Sequence, residues 1–258
     1  MLSLSDIQAF YPKEQQFDAR FLMREYLQCK ILEIVFSSPF AAKLCFIGGT
    51  CLRLIHQNTR FSEDLDFDYF ELTDTDFSQL AKHIDQELTL QGFIVEMREV
   101  RKGAWHCYLR FPELLYQIGL SGYKEEKILI QLDAEDQGYQ FTPESRLLNR
   151  FDVFSTLLVP PLPLLLSHKI TAILRRPRNK GRDFFDVTFL QAKTKPDYKF
   201  LQEKLQIQNS DQLKEILIEH CLKLDMKDMA KDVQPFLFNA RDVKRVELFI
   251  EFVKSASW

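Results

Sequence analysis

No run of apolar residues in this chain approaches the roughly eighteen needed to cross a bilayer as a helix. The first residues, MLSLSDIQAFYPKE, show no basic segment followed by an apolar one, so neither a membrane span nor a secretory leader is expected. The cysteines (Cys29, Cys45, Cys51, Cys107 and Cys221) are scattered, odd in number and set mostly among apolar residues, with no C-x-x-C pair. A disulfide framework and a zinc site are therefore poor readings; reduced core thiols, suited to the cytoplasm, are the expectation. Internal repeats and low-complexity segments are also missing.

What is present is enough apolar residue for a substantial core: 46% of 258 residues are hydrophobic and 13% aromatic, which suits one or two domains. The net charge of −3 is unevenly divided. Residues 1–150 carry 16 basic and 23 acidic side chains (−7), and residues 151–258 carry 18 and 14 (+4). An acidic half beside a basic one suits a site that holds a cation and a polyanion together.

The pattern of periodicities changes once along the chain. Helical spacing over 15–36 and 73–91 and strand-like alternation over 61–70, 93–100, 104–111 and 126–132 predict a mixed twisted sheet with flanking helices, the α+β (mixed α/β) class. After the cluster Val159-Pro160-Pro161-Leu162-Pro163 the strand signals stop. Helical spacing takes over in 164–176, 182–192, 210–224 and 240–254. The reading is a domain of residues 1–158 followed by a helical domain of residues 159–258.

The most informative segment is Phe46-Ile47-Gly48-Gly49-Thr50, followed after thirteen residues by Asp64-Leu65-Asp66. Glycines let a backbone approach a triphosphate, and the N–H groups opening the next helix can donate to it. Carboxylates two apart on a strand share a face, and two such oxygen ligands can hold Mg²⁺ against substrate phosphates. The alternation continues to Asp68. A solvated acidic face is the alternative, yet three stacked like charges are unfavourable without a cation. Farther on, Asp133 ends the apolar stretch EKILIQLD and is either a turn-former or a third metal ligand.

The segment FIGGTCLRLIHQNTRFSEDLDFD resembles the signature of the AbiEii-type nucleotidyltransferases, toxins of bacterial type IV toxin–antitoxin systems. Leu164–Ala172 (LLLSHKITA) resembles that family's lysine helix, and Arg182-Asp183-Phe184-Phe185-Asp186 resembles its Arg-Asp-x-x-Asp motif. The resemblance covers roughly residues 20–190. It implies a polymerase-β-like nucleotidyltransferase domain and a helical C-terminal domain bordering the active-site cleft. The activity implied is Mg²⁺-dependent transfer of NMP from an NTP, with two ions, to an RNA such as the tRNA 3′ end. A small molecule or a protein hydroxyl is the alternative acceptor, and a non-catalytic nucleotide-binding scaffold a further alternative. A cognate antitoxin encoded nearby is also implied, without a stable complex.

Carried onto this chain, the resemblance assigns Asp64 and Asp66 to metal, with Asp133 or Asp68 as a third ligand. Gly48, Gly49, Thr50, Lys169 and Arg182 go to the nucleotide, and Lys169, Asp183 and Asp186 to catalysis. Read as residues alone, Lys169 either snorkels from its apolar helix or meets a phosphate as a point charge. One of Asp183 and Asp186 would orient it or act as base. His168 reads as a surface or supporting residue rather than a base. Arg175 to Arg182 holds five basic residues in eight, a solvated run or a contact for triphosphate or RNA.

Overall fold

Alternation of apolar and polar residues builds a five-stranded sheet in the first part of the chain. Its strands are β1 (Leu44–Ile47), β2 (Leu65–Tyr69), β3 (Glu96–Lys102), β4 (Ala104–Phe111) and β5 (Ile128–Glu135), in the order β1-β2-β5-β4-β3. The β2–β5 pair is parallel and the other pairs are antiparallel, giving the mixed sheet the sequence predicts. The computed structural model describes residues 1–258. These divide into two units, Met1–Gln57 with Phe61–Val159, and Asn58–Arg60 with Pro160–Trp258.

In the first unit the sheet has one packed face and one open face. Trp105, Cys107, Leu109 and Phe111 of β4 and Ile128, Ile130, Leu132 and Ala134 of β5 are buried, whereas the residues alternating with them are not. The five helices of this unit are α1 (Leu4–Gln8), α2 (Ala19–Ser37), α3 (Gly48–Leu54), α4 (Asp74–Leu90) and α5 (Leu114–Gln117). A capping box in which Thr73 and Asp76 satisfy each other's backbone N–H starts α4. That helix buries Phe77, Leu80, Ile84 and Leu88, and Phe77 stacks on Trp105 with ring centroids 4.7 Å apart. The long helix α2 is buried nearly all round, as befits one that touches β5, α1 and α4 together.

A hairpin of β6 (Glu144–Arg150) and β7 (Val153–Val159) completes this unit, and β7 packs on α2 and β1. The sequence reading did not identify it. Its turn is Phe151-Asp152, with Phe151 at φ +56°, where an Asn-Gly pair would have been expected. The left-handed backbone is held by aromatic packing, with the Phe151 ring edge-on to Phe10 (4.9 Å) and Tyr26 (5.4 Å). Strand β5 also runs on to Glu135, so Asp133 lies inside a strand and is not a turn-former.

The second unit contains α6 (Leu162–Arg175), α7 (Gly181–Gln191), α8 (Tyr198–Leu205), α9 (Ser210–Cys221), α10 (Met226–Val233), α11 (Lys244–Glu247) and α12 (Phe249–Ser255). Pro160 and Pro161 lack the N–H that a strand would use, and Pro163 sits in the first turn of α6, where that loss costs nothing. The single helix expected over 240–254 is broken at Leu248 into α11 and α12. Gly181 opens α7 so close to α10 that a Cβ would overlap the Met229 carbonyl, and its N–H donates to Asp232 at 2.8 Å. The residues Asn58–Arg60 join this helical unit through an antiparallel bridge between Arg60 and Leu237.

Candidate active site

The glycine turn and the aspartates meet in the first unit. Gly48 follows β1 at φ +76° and begins α3, and a Cβ on it would overlap the Asp66 carboxylate. Glycine is required there on both counts, since the left-handed region and the close approach each exclude a side chain. Asp66 is the register partner of Ile47 on β1 and of Asp133 on β5. Register partners on parallel strands point to the same face, so Asp66 and Asp133 stand side by side on the open face, roughly 5 Å apart from strand to strand. Asp64 lies just before β2, half-buried.

The approach to β2 is fixed by side chains from two helices. Gln28 of α2 donates to the carbonyls of Ser62 (3.2 Å) and Glu63 (2.8 Å), and the Thr50 hydroxyl of α3 donates to the carbonyl of Asp64. Three consecutive carbonyls are thus held from the side. Thr50 is fully buried, so its hydroxyl positions Asp64 where the sequence reading gave it to the triphosphate. Thr50→Val is expected to preserve the fold, since it is nearly isosteric, and to slow turnover about tenfold or more by loosening the Asp64 backbone. Thr50→Ser should keep the rate near that of the parent; a fully active Thr50→Val would show the contact to be dispensable.

The helix that carries the turn is anchored by a buried polar group that sequence reasoning missed. Glu25, 2% exposed, accepts from Arg53 Nε of α3 (2.8 Å) and from the Tyr11 hydroxyl (2.9 Å), and pairs with Arg150 at 2.7 Å. Burial, helped by the Glu25 charge, pushes the Tyr11 phenol well up, so it stays a donor at any physiological pH.

The acidic row is not uniform. Asp68 is 1% exposed, and its Oδ1 accepts from the Gln137 N–H at 3.0 Å. Burial pushes its carboxyl up to about 6 against that hydrogen bond. Asp133 remains partly open, with Gln131 Nε2 donating to both its oxygens (2.8 and 2.9 Å) and His106 Nδ1 at 2.6 Å. His106 was not singled out from the sequence. Its only signal there was its place in the alternating stretch 104–111.

In the second unit, the half-buried Lys169 of α6 turns its ammonium to two carboxylates. Its Nζ lies 3.0 Å from Asp183 Oδ1 and 2.9 Å from Asp186 Oδ2. Burial works to lower its pKa, but the two aspartates outweigh it and the net direction is up. Asp183 also accepts from Arg176 at 2.8 Å. Fully buried Asp186 accepts from Asn58 (2.7 Å), from Arg60 Nε (2.8 Å) and from the second Arg60 nitrogen (2.6 Å), besides Lys169. Burial alone would raise its carboxyl, yet Arg60 and Lys169 hold it down to about 2. Four donors fill the lone-pair positions of a carboxylate. Asp186 is therefore not poised as the base that the sequence reading allowed; it is the centre of a buried ion-pair cluster.

Three other expectations change in detail. His168 is half-buried and packed against Phe200 (4.9 Å between rings), where burial lowers it to about 4, so it is a neutral supporting histidine rather than a surface one. Arg182 lays its guanidinium over Phe236 at 5.3 Å. Within the basic run, Arg175 donates to the Lys204 carbonyl and Arg176 pairs with Asp183, while Arg178 is exposed. Three of its five charges, Arg175, Arg176 and Arg182, are thus engaged within the helical unit.

A glycine turn pressed against strand carboxylates on a mixed sheet is the construction of a nucleotidyltransferase. A family model for the AbiEii nucleotidyltransferase toxins of type IV toxin–antitoxin systems matches residues 30–247, and the chain belongs to that family. Among solved structures it is similar to the nucleotidyltransferase toxin MenT4 of Mycobacterium tuberculosis H37Rv. There the TM-score is 0.60 at 14% identity, over 100% of this chain and 91% of that one. A candidate nucleotidyltransferase from Helicobacter pylori gives 0.58 at 17% identity, over 92% and 96%. JHP933, also from Helicobacter pylori, gives 0.54 at 17% identity, over 92% of each chain. At these identities the structural likeness establishes the fold. No curated protein sequence is a significant match.

Nucleotidyltransferases act on an NTP with a divalent metal ion, and the residues on the open face fit one. No three or more His, Cys, Asp or Glu side chains are gathered so as to hold a metal ion among themselves. A hard cation that keeps open positions for phosphates and water needs only one or two carboxylates, and Asp64 and Asp66 offer oxygen donors alone. No helix of the chain is long and apolar enough to cross a membrane.

Proposed function

We propose that the protein is a Mg²⁺-dependent toxin that transfers an NMP from an NTP to the 3′ end of an RNA, with tRNA as the leading acceptor. The observation that carries this is the pairing of Asp66 with Asp133 beside the Gly48 turn, with Asp64 held by Thr50. In this reading Asp64 and Asp66 hold the metal, and Asp133 is the third carboxylate, because Asp68, although on the same face, is buried and accepts from the Gln137 N–H. A two-ion site would use the same three groups. The metal would neutralise charge developing on the transferred phosphoryl group.

The remaining work belongs to the chain. Gly48 and Gly49 bring backbone close to the triphosphate, and the N–H groups opening α3 donate to it. The acceptor 3′ hydroxyl attacks the α-phosphorus in line, the bond from that phosphorus to the β-phosphate bridging oxygen breaks, pyrophosphate leaves, and the hydroxyl proton passes to solvent. Positioning and electrostatic stabilisation supply the rate. Lys169 and Arg182 are the further candidates for nucleotide contact, and Lys169 would first have to exchange Asp183 or Asp186 for a phosphate. The family implies a partner antitoxin. All five cysteines are free and buried, which supports a reducing compartment such as the cytoplasm.

The test is incubation with each α-labelled NTP, Mg²⁺ and total RNA. Label on RNA, lost when Mg²⁺ is chelated, is the expected result. Label on protein or on a small molecule in place of RNA would replace the acceptor, and no transfer to any acceptor would leave only a nucleotide-binding scaffold.

A further inference from the structure

The open face of the sheet continues past the carboxylates, and its chemistry changes sign as it does. Asp66, Asp133 and His106 form one register row across β2, β5 and β4. The next row on the same face is Gln131, Tyr108 and Arg98, and Arg110 lies one step beyond on β4. All four are half-buried or exposed. The Tyr108 ring has the His106 ring on one side, with centroids 6.5 Å apart, and the Arg110 guanidinium 5.7 Å from its own centroid. Glu96, the acid on this part of the face, is neutralised by Lys127 at 2.7 Å. The face therefore runs from carboxylates, through an amide and aromatic rings, to two arginines.

We infer that this face of β3, β4 and β5 binds the single-stranded 3′ end of the RNA acceptor. The inference rests on the proposed transfer to RNA and adds where, and in what form, the RNA is held. A sheet face with aromatic side chains on a central strand and cations beside it suits unpaired nucleotides, because every base has a face to stack and every phosphate a charge to meet. The face favours RNA over a protein acceptor by charge complementarity. Its arginines lie on the side away from the carboxylates, so a backbone held there directs its last hydroxyl toward Asp66 and Asp133. A paired end could not lay its bases on Tyr108, which makes the surface selective for an unpaired tail.

The probe is a short fluorescent single-stranded RNA with a free 3′ hydroxyl, titrated against the full chain at several salt concentrations. Tyr108→Ala should weaken binding about tenfold, and Tyr108→Phe should restore it, since stacking and not the hydroxyl is involved. Replacing Arg98 and Arg110 together with Ala should flatten the log–log salt slope by about 1.4, two single-strand phosphate contacts. NTP binding should be unchanged in all of these variants. If Tyr108→Ala and the double arginine variant bind the RNA like the parent, or lose NTP binding in equal measure, the inference is overturned. If the parent labels RNA and Tyr108→Ala does so with an unchanged KM for RNA, the acceptor is held elsewhere while the transfer reading stands. If the variants lose RNA binding but no label ever reaches RNA, the surface stands and the transfer reading falls.

Discussion

Asp66→Ala is expected to cut nucleotidyl transfer by roughly a hundred- to a thousandfold, with no loss of thermal stability. The size follows from removing a preorganised charge from the reacting centre, which costs two to three orders of magnitude in comparable cases. The intact fold follows from position. Asp66 is half-buried on the open face, and it shares a register row with Asp133, so removing one carboxylate relieves repulsion. Asp64→Ala should behave alike. Asp68→Asn is the contrast: its carboxyl, already raised to about 6 by burial, is covered and engaged by the Gln137 N–H, and the variant should keep its activity. Transfer rates together with thermal melts separate these outcomes. Full activity in Asp66→Ala, or a dead Asp68→Asn, would redistribute the metal site along β2.

Asp186→Ala should do the reverse, destabilising the helical unit before any chemistry is considered. Removing one partner of a buried ion pair leaves the other charge uncompensated, at a cost of about 3–5 kcal/mol. Here the loss takes the carboxylate from Arg60, 1% exposed, and leaves Lys169 with Asp183 alone. Arg60→Ala should cost as much. Replacing Arg60 with Met and Asp186 with Leu together should recover part of the loss, because it removes the uncompensated charge. The pH dependence has a definite sign. The Asp186 carboxyl is held at about 2 against an ordinary 3.8, so its contribution is complete above about pH 4 and disappears as pH falls toward 2. Lys169 is shifted the other way, so its contribution holds below its ordinary 10.5 and is lost at higher alkalinity. Lys169→Ala is accordingly expected to lower the melting temperature as well as the rate. Urea unfolding across pH measures all of this, and an Asp186→Ala variant as stable as the parent would contradict the cluster's role.

These two expectations separate what was legible in the sequence from what was not. The glycine turn and the Asp64-Leu65-Asp66 strand could be read because their spacing is local: β1, α3 and β2 follow one another within thirty residues. Strand β4 could be read residue for residue because every second side chain is buried. The hairpin of β6 and β7 escaped because its turn relies on the packing of Phe151 rather than on turn-forming residues. Asn58–Arg60 could not be assigned to the helical unit, since the contacts that draw them there come from Asp186 and Leu237, far away in sequence. Burial explains the remaining differences. A sequence displays Lys169, Asp183 and Asp186 as charges, but only the fold shows that they neutralise one another. It likewise shows Thr50 as a hydroxyl without revealing that the Asp64 carbonyl lies beside it.

The central claim is that the open-face carboxylates support transfer of an NMP, and the position of the label tests it most directly. Parent protein and Asp66→Ala would be incubated with RNA and an NTP labelled at either the α- or the γ-phosphate. The account predicts RNA labelled from the α-phosphate only, with pyrophosphate carrying the γ-label, and both products formed at least about a hundredfold more slowly by Asp66→Ala. Label reaching RNA from the γ-phosphate, or α-label transferred equally well by Asp66→Ala, would contradict it.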